Sequence, residues 1–325
     1  MNLLEKTLAA LGFACAMAAT PAQAEYPSQP VTLVVPYGPG GAADLTARMI
    51  AKHIPPYLDG EVLVVNQTGA AGVTGSTMVA KGQKRGYNLL MGRVGSQAAV
   101  PAMNETIPYT WDEFTMLGLV ETNPFTVVVA ADSPYQTFEE LVAALQGGER
   151  LRYASAGVGT LQHMGALIML DHLGVSPDSV IHVPFKGGGE ATTSVVTGNT
   201  DFVFNPLAAA LGPIESGQMR ALVITTPERV DAVADIPTAS ETGHPQLETV
   251  IGWSGVWGPG DLDAEAETKW IEALDKLGSD EEWLAAMEKL GSIPRILSPE
   301  ETRTFVEKQY NAFRAVADKL DMIVR

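Results

Sequence analysis

The sequence predicts an α/β fold in two lobes, followed by a helical C-terminal segment. Three observations carry this. Short β-branched runs alternate with glycine turns and helix-spaced apolar residues, the pattern of βαβ units and a mainly parallel sheet. That pattern starts twice, near Val31 and again near Phe125. From Ala264 onward the chain reads as acidic helices, with only Ile293–Ile296 as a further strand. The chain holds 32 Gly in 325 residues, above the usual ~7%, as repeated tight strand-to-helix turns require.

The elements follow in order. Val31–Val35 is a strand, broken by Pro36-Tyr37-Gly38-Pro39-Gly40-Gly41. Leu45, Met49 and Ile50 then recur at helical spacing. Val62–Val65 is a second strand, ended by Asn66-Gln67-Thr68-Gly69, and a small-residue helix covers Gly75–Lys81. Leu89–Met91 is a third strand. In the middle, Phe125–Val129 is a buried-type strand, and Thr137 caps a helix over Phe138–Leu145 with Glu139 and Glu140 in its first turn. Arg152–Ala154 leads through Ser155-Ala156-Gly157-Val158-Gly159-Thr160 into a helix from Leu161 to about Leu173. Val180–Val183, Phe202–Phe204 and Ala221–Thr225 are short strands. Helices cover Ala264–Leu290 and Pro299 to about Leu320. The chain leaves the first lobe near Glu121–Asn123 and returns near Thr249–Trp253. This gives lobe 1 as 25–122 with 251–325, and lobe 2 as 123–250.

Composition narrows the function. With 21 Lys+Arg against 38 Asp+Glu the net charge is −17. Nucleic-acid binding needs a basic surface, and anionic lipid would be repelled. Hydrophobic residues are 46% of the chain, enough for a core without disulfides. Residues 1–24 read as a secretory signal: Lys6 precedes an apolar run, Thr7–Ala19, and Ala22-Gln23-Ala24 is a cleavage site. Cleavage after Ala24 predicts a periplasmic protein. The one cysteine, Cys15, lies within that signal, so the mature chain has no thiol nucleophile, disulfide or thiolate metal ligand. No later run is long enough for a membrane span.

Enzyme signatures are missing. The Gly38–Gly41 turn lacks the Gly-Lys-Ser/Thr of a P-loop and the spacing of Gly-x-Gly-x-x-Gly. No Gly-x-Ser-x-Gly occurs. The histidines at 53, 163, 172, 182 and 244 fit no zinc spacing, and no metal or cofactor is expected. What remains is two glycine-rich turns that open helices, Tyr37–Gly41 and Ser155–Thr160, with His163 one turn further on. Backbone N–H groups at a helix start hold a carboxylate without a basic side chain.

These turns carry a resemblance. Pro-Tyr-x-Pro-Gly-Gly-x-x-Asp-x-x-Ala-Arg at Pro36–Arg48 resembles the opening motif of the Bug family, the extracytoplasmic receptors of tripartite tricarboxylate transporters. Asn66–Gly72, Gly86–Leu90, Ser155–Thr160 with His163, His182–Gly187 and Asp235–Thr238 resemble further family motifs, in order, across the mature chain. The resemblance implies a two-lobed periplasmic-binding-protein fold (type II-like). It also implies a small carboxylate in the cleft and integral-membrane transporter partners. The expected receptor is a monomer with no catalytic role, binding through Tyr37, Gly40, Gly41, Arg93, Ser96, Ser155, Gly159, Thr160, His163 and Asn205. The Thr160 hydroxyl is expected to donate to the first carboxylate.

Three positions depart from the family pattern: Asn205 replaces an Asp, Arg93 a small polar residue, and Leu161-Gln162 follows Thr160 where Ser or Thr is common. The lost carboxylate and the added guanidinium both favour negative charge, so Arg93 is expected to read a second anionic group. The alternative for Arg93 is a surface salt bridge. Rival functions are an amino-acid receptor of an ABC importer, and an enzyme or signalling partner on the same fold. The former needs a cleft carboxylate for the ammonium, and Asn205 removes the best candidate.

Overall fold

The computed structural model describes residues 25–226, 228–319 and 322–325. The predicted signal and its cleavage site lie outside the described residues. The first strands and helices are β1 (Val31–Val35), α1 (Ala42–His53), β2 (Val62–Asn66), α2 (Val73–Ala80) and β3 (Asn88–Arg93). Then come β4 (Thr115–Asn123), β5 (Phe125–Ala130), α3 (Phe138–Gln146), β6 (Arg152–Ser155), α4 (Leu161–His172) and β7 (Ile181–Pro184). The chain continues through α5 (Gly188–Val196), β8 (Phe202–Pro206), α6 (Leu207–Glu215) and β9 (Met219–Ile224). It ends with β10 (Gly252–Gly258), α7 (Ala264–Leu277), α8 (Glu281–Lys289), β11 (Ile293–Leu297) and α9 (Pro299–Lys319).

The strands form two sheets, ordered β11-β4-β10-β3-β1-β2 and β7-β6-β8-β5-β9. Both are mixed, where the sequence predicted mainly parallel sheets. β1 is parallel to β2 and β3, whereas β10 runs antiparallel between β3 and β4. In the second sheet β6 is parallel to β7 and β8, and β5 is antiparallel to β8 and β9. β5 and β10, the strands that begin just after the two crossings, run antiparallel to their neighbours, as does the edge strand β11 beside β4. β4 ends at Asn123 and β5 begins at Phe125. On the way back, Gly252 of β10 pairs with Asn123. The two crossings therefore lie side by side, and a single strand pair links the sheets.

β4, β10, α5 and α6 are absent from the sequence reading. Gly-Trp-Ser-Gly-Val-Trp-Gly at β10 has too much glycine to score as a strand. Tertiary packing explains it. A Cβ on Gly255 would lie 1.8 Å from the Trp257 ring, which folds back over that position. Trp253 and Trp257 are fully buried and stacked at 5.8 Å.

The C-terminal helices close the first lobe. Trp270 of α7 is buried and donates from Nε1 to the Tyr26 hydroxyl, which donates to Gly86 O. Asp280 caps α8 by accepting from the Trp283 N–H at 3.0 Å. α9 packs behind residues 95–103, which follow β3. Among the described residues no helix is long and apolar enough to cross a membrane.

Candidate functional site

Three helices begin at the seam between the sheets. α1 starts at Gly41, α4 at Thr160 and α5 at Gly187, and none has a side-chain cap bond. Elsewhere Thr137 and Asp280 cap α3 and α8, whereas α2, α6 and α7 also lack a side-chain cap bond. The first N–H groups of a helix have no intrahelical partner. Without capping side chains, those of α1, α4 and α5 stay available to a ligand and present the positive ends of three dipoles.

One local device shapes all three starts. The third residue of each helix folds back to accept the N–H just before the cap. Asp44 accepts from Gly40 at 3.0 Å, His163 Nδ1 from Gly159 at 3.1 Å, and Glu190 from Lys186 at 3.2 Å. Arg48 and Asn66 also bind Asp44, holding its carboxyl below the usual range against the opposing effect of burial. As an acceptor at Nδ1, His163 must be neutral. Burial, and then the neighbouring His182, pull its pKa down to about 4. The two imidazoles stack at 4.3 Å, and burial brings His182 to about 4 as well.

The lobes touch through backbone. Gly38 N–H donates to Lys186 O at 3.3 Å. A Cβ on Gly187 would lie 2.6 Å from Gly38 N, and one on Gly189 2.4 Å from Pro39 O. Gly95 lies at ordinary contact from the Thr160 Cα, 3.5 Å from its own would-be Cβ. The cavity left between the lobes is small, about 50 Å³. Its walls include Gly41, Ala42 and Ala43 of α1, Thr160, Leu161 and Gln162 of α4, and Gly188 of α5. Tyr37, Arg93 and Phe125 complete the polar and aromatic sides.

Of the ten residues expected at the site, Tyr37, Gly41, Arg93 and Thr160 line this cavity. The other six sit around it. Gly40, at φ +75°, faces an outer groove with Gly189 and Glu190. Ser96 is buried behind Arg93 and donates to its carbonyl at 3.4 Å. Ser155 is buried 2.6 Å from His182 Nε2. Gly159, at φ +83°, packs on Val100 and Met103. His163 holds the Gly159 N–H. Asn205 is fully buried; it accepts from Gln162 Nε2 at 2.5 Å and donates to Thr192 at 2.8 Å. Gln162 in turn accepts the Ala156 N–H at 2.6 Å. Asn205 thus fixes the α4 turn through Gln162.

One expectation, for Thr160, and one alternative, for Arg93, are corrected. The Thr160 hydroxyl donates to Gly157 O at 2.8 Å, so in this state its proton is not available to a ligand. Arg93 is not a surface residue: it is 6% exposed. Its Nη1 reaches Ser254 Oγ at 2.9 Å, Asn123 Oδ1 at 3.1 Å and Glu121 Oε1 at 3.5 Å. Burial pulls its pKa down, while Glu121 and then Tyr37 oppose that. Tyr37 is pushed up to about 12 by burial, so its hydroxyl is neutral and donates to Ala71 O. Gly188 and the α5 start are absent from the expected site. Their signal is legible afterwards: Gly187-Gly188-Gly189-Glu190 repeats the glycine cap and third-position acid of Gly41-Ala42-Ala43-Asp44.

Two α/β lobes closing on a cavity lined by uncapped helix starts define a solute-binding receptor. The chain belongs to the TctC family, described as the tripartite tricarboxylate transporter family receptor, whose pattern matches residues 46–322. The periplasmic binding protein BugD is 28% identical, with a TM-score of 0.86 over 92% of this chain and all of that one. MatC of Rhodopseudomonas palustris, solved with bound malate, is 26% identical with a TM-score of 0.83, covering 90% of this chain and 99% of that one. A second R. palustris protein, solved with adipate, is 25% identical with a TM-score of 0.85, covering 90% and 98%. The family and the two-lobed fold expected from the sequence are thereby shown.

Proposed function

We propose that the protein is a periplasmic receptor that captures a small organic acid and delivers it to integral-membrane transporter subunits. One observation carries this: the starts of α1, α4 and α5 converge on one cavity between the lobes without side-chain caps. The ligand's first carboxylate sits there, on the N–H groups of Ala42 and Ala43 from one lobe and of Leu161, Gln162 and Gly188 from the other. Only the closed form offers both sets, so the ligand favours closure. Lobe 1 is 25–122 with 251–325 and lobe 2 is 123–250, moving about the Asn123–Gly252 pair. The malate and adipate held by two structural neighbours support a carboxylate, and specifically a diacid, as cargo. No Asp or Glu lines the cavity, which weighs against an amino-acid ammonium. The receptor acts as an exported monomer, without a cofactor and without covalent chemistry.

A thermal-shift screen of ligand-stripped protein tests the reading. Mono-, di- and tricarboxylates, aromatic acids and amino acids are compared at equal concentration. Stabilisation by one or more carboxylates is expected. Stabilisation by amino acids alone would overturn it.

A further inference from the structure

Behind Arg93, which lines the cavity, lies a buried carboxylate that the carboxylate reading does not use. Glu121 is fully buried on β4. It accepts from Thr46 Oγ1 at 2.6 Å, Ser254 Oγ at 2.6 Å and Asn123 Nδ2 at 3.0 Å, besides the 3.5 Å contact from Arg93. Ser254 and Asn123 also act as relays. Each accepts from Arg93 Nη1 and donates to Glu121. Among the described residues, every hydrogen bond the Arg93 side chain donates runs through Nη1. Nε and Nη2 form the other edge of the guanidinium, and the residue lines the cavity. That edge matches a carboxylate bidentately.

We propose that Glu121 is the specificity-determining residue of this cleft, acting through Arg93 on the second acidic group of the ligand. The inference rests on the carboxylate reading above. A second carboxylate on the Nε–Nη2 edge shares its cation with Glu121 and is repelled by it. A monocarboxylate leaves that edge empty and meets Glu121 only at a distance. Glu121 thus sets how strongly the cleft prefers two charges over one. It also compensates a guanidinium that would otherwise be buried unpaired. Asn123 and Ser254 stand on β4 and β10, neighbouring strands of the first sheet at whose ends the chain crosses, so the same cage fixes Arg93 at that end of the first sheet.

Glu121→Gln keeps the shape and the Thr46 and Ser254 bonds while removing the charge. Titration calorimetry would compare malate with 3-hydroxybutyrate, and adipate with hexanoate, on wild type and variant. The expected result is diacid binding tightened about tenfold, an estimate from two like charges sharing one cation in a partly polar site. Monoacid binding should stay within about threefold. The diacid should also raise the melting temperature more in the variant, because it replaces the missing counter-charge. A purely structural Glu121 would weaken both classes together. Equal losses, unchanged selectivity or reduced diacid preference would each overturn the proposal. Glu121→Asp retains a buried charge and draws it back by one methylene. It should shift selectivity the same way by a smaller factor, and it decides the matter if the Gln variant does not fold. Wild type binding no carboxylate at all would instead overturn the carboxylate reading itself.

Discussion

Alanine at Gly187 separates closure from folding. Its backbone is extended, with φ −173° and ψ 168°, which alanine adopts without strain. The atoms nearest the added Cβ belong to the other lobe, Gly38 N at 2.6 Å and Gly38 Cα at 2.9 Å. To restore ordinary contact the seam must part by roughly 1 Å, a gap that forfeits a quarter to a half of each dispersion contact along it. The Gly38–Lys186 bond is already 3.3 Å long and would be lost. A net hydrogen bond is worth about 0.5–1.5 kcal/mol. With the packing, closure should be disfavoured by about 1–3 kcal/mol, roughly five- to hundredfold in affinity. The melting temperature of the ligand-free protein should change little. Calorimetry gives the affinity, and small-angle scattering with saturating ligand reports whether the lobes still close. Full affinity with a normal closed radius would refute the argument that this backbone seam is the closing contact.

Other perturbations follow from the same geometry. Gly41→Val should abolish carboxylate binding while the protein still melts cooperatively. Its Cβ alone would sit 3.3 Å from Gly188 N, and a branched chain would enter the cavity; normal binding would make the turn structural only. Thr160→Val should weaken binding by no more than about 1.5 kcal/mol, through loss of the Gly157 tether rather than of a ligand bond. A hundredfold loss by calorimetry would show that the hydroxyl contacts the ligand after all. For His163 and His182 the folded pKa values of about 4 lie below the ordinary 6.5. The unfolded chain therefore binds more protons between these limits, so stability is full above about pH 6.5 and declines toward pH 4. The expected loss is on the order of 1–3 kcal/mol, discounted for the partial exposure of His182. His163→Asn, which keeps an acceptor for Gly159, should flatten that slope in pH-dependent melting. An unchanged slope would place the titration elsewhere.

The parts of the fold legible in the sequence are those whose local pattern and tertiary role agree. β1, with Val-Thr-Leu-Val-Val, needs no partner to read as a strand, and Thr137 caps α3 as its hydroxyl predicts. β10 fails because its glycines answer to Trp257, not to strand propensity. The mixed sheets were illegible for a related reason, since direction is set by β10 returning beside β3 and β4. At the site, the two glycine turns were legible because helix starts carry their own chemistry. Asn205, His163 and Ser155 sit one layer behind, where burial orients a loop rather than a ligand. Nothing local marks that layer. Glu121 was read only as a point on the crossing, because its partners come from residues 46, 93, 123 and 254 and meet only in three dimensions.

A crystal structure of residues 25–325 grown with a saturating diacid such as malate tests the central claim most directly. One carboxylate should lie about 2.9 Å from the N–H groups at the start of α1 and, across the seam, from those opening α4 or α5. The other should face Nε and Nη2 of Arg93. A ligand bound outside the cavity, or a carboxylate held only by side chains with the three helix starts left to water, would contradict the account.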